Sequence, residues 1–161
     1  MKIRKSSGFG LIELIVVMAI LGVVFAVALP TFTKYRDNAN LREAARDISS
    51  DIQFYKQHAI SENVRYRITF NSGTNNYVIQ KESVLNLDDF SNVATKQVGA
   101  GNSVISILGT PSFSGGVPTI TFAPRGTSTM GSLSLQHTKR LSTATITANL
   151  MGRTHVDYVF K

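Results

Sequence analysis

The segment from Gly8 to Leu29, GFGLIELIVVMAILGVVFAVAL, constrains everything else this 161-residue chain can do. From Phe9 to Leu29 it runs 21 residues with one charge, Glu13. As a helix it rises about 30 Å at 1.5 Å per residue, the hydrocarbon thickness of a bilayer. Lys2, Arg4 and Lys5 precede it, and basic residues in front of a span hold that end in the cytoplasm. The expectation is one span followed by an extracytoplasmic body. Two plainer alternatives stay open. Ala26-Val27-Ala28 has the small-residue form of a signal-peptidase site, which would release a secreted protein starting at Leu29. A simple anchor carrying an incidental acid is the other. Both leave Glu13 unexplained, because a carboxylate inside an apolar span costs about 2.5–3.5 kcal/mol and calls for a partner.

The order of these residues is specific. A basic leader ends in Gly8, Phe9 follows, and Glu13 stands at the fifth place of the apolar run, in the order G-F-G-L-I-E-L. This resembles the class III signal of type IV prepilins and type II secretion pseudopilins, with Gly10-Leu11-Ile12-Glu13-Leu14 in place of the family's T-L-I-E-L. Gly10 is a departure that slightly lowers local helix propensity. The resemblance implies cleavage after Gly8 by a prepilin peptidase, methylation of the new amine on Phe9, and packing of the helix into a filament core. It also implies that Glu13 neutralises the terminal amine of a neighbouring subunit. The location implied is the bacterial inner membrane with the head in the periplasm, and later the filament. The partners implied are the peptidase, other pilins or pseudopilins, and membrane lipid before assembly.

Beyond the span the helical pattern continues past Pro30, a residue expected to kink or locally open the helix. Leu41, Ala45, Ile48, Ile52, Tyr55 and Ala59 recur at steps of three and four and form one stripe, with Arg42, Glu43, Arg46, Asp47 and Lys56 mainly elsewhere. The spacing predicts a single helix from about Phe9 to Glu62, whose second half buries one face as an ordinary core helix.

After Asn63 the period changes to two. Val64, Tyr66, Ile68 and Phe70 alternate with Arg65, Arg67 and Thr69, the turn cluster N-S-G-T-N-N follows, and Tyr77–Gln80 returns as the hairpin partner. Residues 82–102 carry few apolar side chains and read as a long variable loop with an edge segment. Further strands are predicted at Ser103–Leu108, Thr119–Phe122, Gly131–Gln136, Thr143–Asn149 and Thr154–Phe160. Strands gathered after the helix, with hairpin spacing and no crossover helices, give an α+β class: a long N-terminal helix packed on antiparallel sheets. The segments are a leader, 1–8; a transmembrane and filament-core helix, 9–29; its amphipathic continuation, 30–62; and a β-rich head, 63–161.

Catalytic chemistry is not legible. The chain has no cysteine, so disulfides, thiol catalysis and cysteine–metal sites are excluded. His58, His137 and His155 have no metal-ligand spacing, Asp88-Asp89 reads as a local pair in a loop, and no glycine run is followed by the Lys-Ser/Thr of a phosphate loop. No cofactor and no metal are expected, and no enzyme. Loss of Lys2, Arg4 and Lys5 with the leader would take the basic count from 17 to 14 against 10 acidic residues, reducing the net charge from +7 to +4. Such a balance permits contact with an anionic surface without requiring it.

A second resemblance lies in the C-terminal third. Thr121-Phe122-Ala123-Pro124-Arg125-Gly126, the strand led by Gly131, and Gly152-Arg153-Thr154-His155-Val156 are similar to the F-x-P-x-G and terminal G-R-x-R patterns of the GspH/FimT branch of minor pilins and pseudopilins. His155 stands where DNA-binding members of that branch carry a second arginine. The resemblance implies a structural minor pseudopilin of a type II secretion system, with a DNA-capturing minor pilin as the alternative. For the latter, Arg125, Lys139, Arg140, Arg153 and His155 are the candidate contacts, the first four on the expectation that they bring fixed cations to one end of the sheet and meet phosphates. The plain reading of each is a solvated turn residue, and of Gly152-Arg153 a hairpin turn.

Overall fold

The computed structural model describes residues 10–83, 88–101 and 104–161. Gly8 and Phe9, the expected processing site, lie outside the described residues, as does Ser103 at the start of one predicted strand. One helix, α1 (Leu11–Glu62), precedes eight strands: β1 (Tyr66–Asn71), β2 (Asn76–Glu82), β3 (Phe90–Gln97), β4 (Ile105–Phe113), β5 (Thr119–Phe122), β6 (Gly131–His137), β7 (Thr143–Ala148) and β8 (Thr154–Val159). The chain divides into two compact units, residues 1–36 and 37–161.

In the first unit the helix is apolar and its side chains are exposed throughout. It remains helical through Pro30. Around that residue the Thr31 hydroxyl donates to the Val27 carbonyl and the Thr33 hydroxyl to the Pro30 carbonyl.

In the second unit the period of three and four becomes a buried face. Leu41, Ala44, Ala45, Ile48, Ile52, Tyr55 and Ala59 are buried in one core with Ile68, Phe70, Ile79, Ile120, Leu133, Leu135 and Ile146 from the strands. These strands form two antiparallel sheets, ordered β3-β2-β1-β5 and β4-β6-β7-β8. The β1/β2 hairpin pairs Tyr66 with Lys81 and Asn71 with Asn76, as its alternation requires. β5 joins β1, pairing Thr69 with Thr119, although β4 before it and β6 after it both belong to the other sheet.

The stretch 82–102, expected as a long variable loop with an edge segment, has that edge segment as a full strand. It contains β3, an eight-residue edge strand on β2, followed by a 3-10 turn over Val98–Gly101. Its burial is slight, with Phe90 and Ala94 half-buried and the rest exposed, so it lacks the apolar alternation that marks a strand covered on one face. Edge strands carry such polar sequences because one flank faces solvent.

Glu82, a charged residue, is buried at the end of β2. Arg65 Nε donates to Glu82 Oε2 at 2.9 Å, its Nη2 donates to Glu82 Oε1 and, at 2.6 Å, to Asp88 Oδ1, and the Asp88 backbone N–H donates to Glu82 Oε1 at 3.0 Å. Arg67 lies 4.0 Å over the Phe90 ring. The network fastens β1 to the end of β2 and the start of β3. The Arg65 guanidinium and the backbone donors hold the Glu82 carboxyl at about 2, below its ordinary value. A depressed carboxyl contributes stability that is present above the unfolded-state value, near 4.3, and is lost as pH falls toward 2. Glu62 acts in the same window, held at about 2 by Lys81, His58 and Tyr66. We therefore expect the urea midpoint of the head to fall between about pH 4.5 and pH 2. Glu82→Gln should remove about 2 kcal/mol at pH 7 and flatten that fall, and an unchanged pH profile would refute the assignment.

Candidate functional site

Glu13 sits in the first turn of α1, where its own N–H donates to the Gly10 carbonyl at 3.0 Å. Its side chain is exposed, among equally exposed Leu11, Ile12, Leu14, Ile15 and Val16. Among the described residues it forms no ion pair. A helix apolar all round needs lipid or other helices about it, and a carboxylate on such a helix needs a cation brought by another group. The arrangement suits lateral packing of helices. Among the described residues no cluster of histidines and carboxylates could hold a metal ion.

The four cations expected at one end of a sheet are divided between its two ends, a correction. The β5/β6 connection with Arg125 and the β7/β8 turn with Arg153 are neighbours: Ser128 N–H donates to the Leu150 carbonyl and Ser128 Oγ to the Asn149 carbonyl, both at 2.9 Å. Lys139 and Arg140 lie in the β6/β7 turn. Because β6 runs from Gly131, paired with Ala148, to Gln136, paired with Thr143, that turn is at the far end, about 20 Å away for strands of six or seven residues. There Arg140 Nε donates to Asp37 Oδ2 at 2.9 Å, so its charge is engaged within the head. His155 Nε2 is 3.0 Å from Asp157 Oδ1. Arg125 and Arg153 are exposed and form no ion pair among the described residues. The sequence held the needed signal: consecutive turns of an antiparallel meander alternate ends.

The glycines of the C-terminal motifs have a structural reason. Gly152 has φ 63°, and a Cβ there would meet Lys56 Cδ at 2.8 Å; Gly126 has φ 82°, and a Cβ would meet Ile60 Cδ1 at 3.1 Å. Both are turn residues pressed on the last turns of α1, as the plain reading of Gly152-Arg153 has it. Asn149 Oδ1 accepts from the Met151 and Arg153 N–H groups at 3.0 Å and stabilises the same turn. Two helix residues not singled out from the sequence complete it: Gln53 Nε2 donates to the Gly152 carbonyl at 2.8 Å, and Lys56 Nζ to the Met151 carbonyl at 2.6 Å. At the opposite end His137 is buried; its Nδ1 accepts the Arg140 N–H, and its Nε2 lies 3.8 Å from Asp37 Oδ1.

A helix that is apolar all round at its start and amphipathic afterwards, with its amphipathic part in a core shared by two antiparallel sheets, fits a membrane-anchored, pilin-like protein. Residues 44–152 match the family model described as type II transport protein GspH, and residues 3–29 match the prokaryotic N-terminal methylation motif. The chain belongs to the GspH family. Its fold is similar to that of the minor pseudopilin EpsH from the type 2 secretion system of Vibrio cholerae, with a TM-score of 0.58 at 12% identity over 74% of this chain and 97% of that one. It is similar also to the type IV minor pilin FimU of Pseudomonas aeruginosa, with a TM-score of 0.55 at 14% identity over 76% of this chain and 92% of that one. A curated relative, competence protein ComGD of Bacillus subtilis, is 30% identical over 69 residues, 43% of this chain. The chain spans about half the length of that relative, 48%. The family is that of GspH and the fold is that of the minor pseudopilin and minor pilin structures.

Proposed function

We propose that this chain is a structural minor pseudopilin of a type II secretion system, acting by assembly into a periplasmic pseudopilus and catalysing nothing. The observation that carries the reading is the lone Glu13 on a helix apolar all round, in a chain whose head belongs to the GspH family. On this reading a prepilin peptidase cuts the precursor after Gly8 on the cytoplasmic side of the inner membrane, Phe9 becomes the methylated N-terminus, and the helix waits in lipid with the head in the periplasm. Intact mass or N-terminal sequencing of the mature protein is expected to give a methylated Phe9 start. Gly8→Val is expected to leave the precursor uncut. A start at Leu29 would refute the pilin processing and restore an ordinary secreted protein.

One observation favours DNA capture as a second reading: Arg125 and Arg153 stand exposed on neighbouring turns. With Arg140 bonded to Asp37 and Lys139 at the far end, two cations remain to meet phosphates. We expect the isolated head to bind duplex DNA only in the non-specific range, about 10⁻⁴–10⁻⁶ M, with a shallow salt slope near −0.9 per phosphate contacted, and Arg153→Ala to weaken it on all sequences alike. Affinity well below the micromolar range at physiological salt, measured by anisotropy, would put DNA capture first.

A further inference from the structure

The apolar surface of α1 does not stop with the span. Val24, Val27, Ala28, Thr31, Phe32 and Tyr35 line one side of the helix across Pro30, with Phe32 66% and Tyr35 73% exposed. The Thr31 and Thr33 hydroxyls are folded back on the Val27 and Pro30 carbonyls, so this segment presents methyl groups where its sequence suggests polarity. Lys34 and Arg36 are exposed in the same turns, the first basic residues after Lys5. At 1.5 Å per residue Phe32 and Tyr35 lie about 4.5 and 9 Å beyond Leu29, within and at the outer border of the headgroup layer on one side of a bilayer, which is roughly 5–8 Å deep. Aromatic rings and snorkelling cations are the side chains that this layer favours.

We propose that residues 31–36 form a lipid-binding collar, in which Phe32 sits near the glycerol level, Tyr35 lies among the outer headgroups, and Lys34 and Arg36 hold the phosphates of anionic phospholipids in the leaflet on the head's side. The inference rests on the membrane-inserted reading above and adds to it a lipid class and the residues that select it. The collar fixes the depth of the waiting subunit, so that the span ends at Leu29 while the helix stays in contact with the membrane to Arg36. The occupant is a bilayer phospholipid because continuity with the span supplies the apolar half and the two cations supply the charge complement.

The chain has no tryptophan, so Tyr35→Trp provides a sole fluorophore in the full-length protein, reconstituted in phosphatidylcholine vesicles with or without phosphatidylglycerol. The indole at position 35 is expected to be quenched by lipid labelled at the headgroup, and more strongly when the label is on phosphatidylglycerol. The preference should reach about fivefold per cation at low salt, fall as salt rises, and vanish when Lys34→Gln and Arg36→Gln are added. Val24→Trp, made separately and placed in the same vesicles, reports on the span itself through quenching by chain-labelled lipid. Quenching at position 24 without quenching at position 35, or with an indole at 35 indifferent to lipid charge, would overturn the collar and leave the span standing. Loss of quenching at both positions would overturn the membrane reading together with it.

Discussion

A Glu13→Val subunit is expected to insert and be processed normally, yet to enter filaments at less than about a tenth of the wild-type level. On α1 the Glu13 side chain is exposed among apolar neighbours and has no ion-pair partner among the described residues. Valine removes the cost of holding a carboxylate in lipid, about 2.5–3.5 kcal/mol, so membrane insertion gains. If, as we propose for the assembled filament, Glu13 pairs with the Phe9 ammonium of a neighbouring subunit, valine loses that attraction, about 4 kcal/mol for unit charges 4 Å apart at an effective dielectric near 20. A third of that is a factor of about ten in incorporation. The measurement is the amount of subunit in sheared filaments relative to the amount in membranes. Incorporation of Glu13→Val at the wild-type ratio would show that the carboxylate does not pair across subunits.

The second large effect lies in the head. Gly131→Ala is expected to cost about 3 kcal/mol, near the upper end for overpacking a core. Gly131 opens β6 opposite Phe113, where the β4/β6 register shifts between Leu108 and Ser112. A Cβ would fall 2.3 Å from the Ser112 carbonyl oxygen and 2.4 Å from Phe113 Cα. Both obstacles are backbone, so β4 would have to leave its pairing with β6. Gly73→Ala is the control: its Cβ would meet only the Asn71 side-chain oxygen, at 3.3 Å, without a positive φ, and its cost should stay below about 1 kcal/mol. Equal urea midpoints for the two variants of the 37–161 head would refute this account of Gly131.

The close approach at Gly131 illustrates what was legible and what was not. The sequence marks a glycine at the head of a strand, and the F-x-P-x-G and G-R-x-H stretches mark turns. It does not say that the Gly126 and Gly152 turns press on Ile60 and Lys56 of the helix. Glu82 reads as one more polar residue before a loop, because its burial is created by Arg65 across the hairpin and by Asp88, neither of which its own neighbours in the chain reveal. The basic residues show the same limit: their types were evident, whereas their grouping depends on which strands are neighbours.

By itself the sequence determined the extent of α1, its buried face from Leu41 to Ala59, and nearly all the strands, because periods of three-to-four and two are local properties of backbone geometry. It determined the G-F-x-L-I-E-L signal as well, a pattern of contiguous residues. The tertiary structure alone decided the partition of the strands between two sheets, with β5 leaving its chain neighbours to pair with β1. It alone made residues 90–97 a strand, paired them with β2, and sent Arg125 and Arg153 to one end with Lys139 and Arg140 at the other. A strand offers the same row of donors and acceptors to any partner, so pairing is settled by which apolar faces close one core around Ile48, Ile52 and Phe70, a condition on the whole chain that no local window contains.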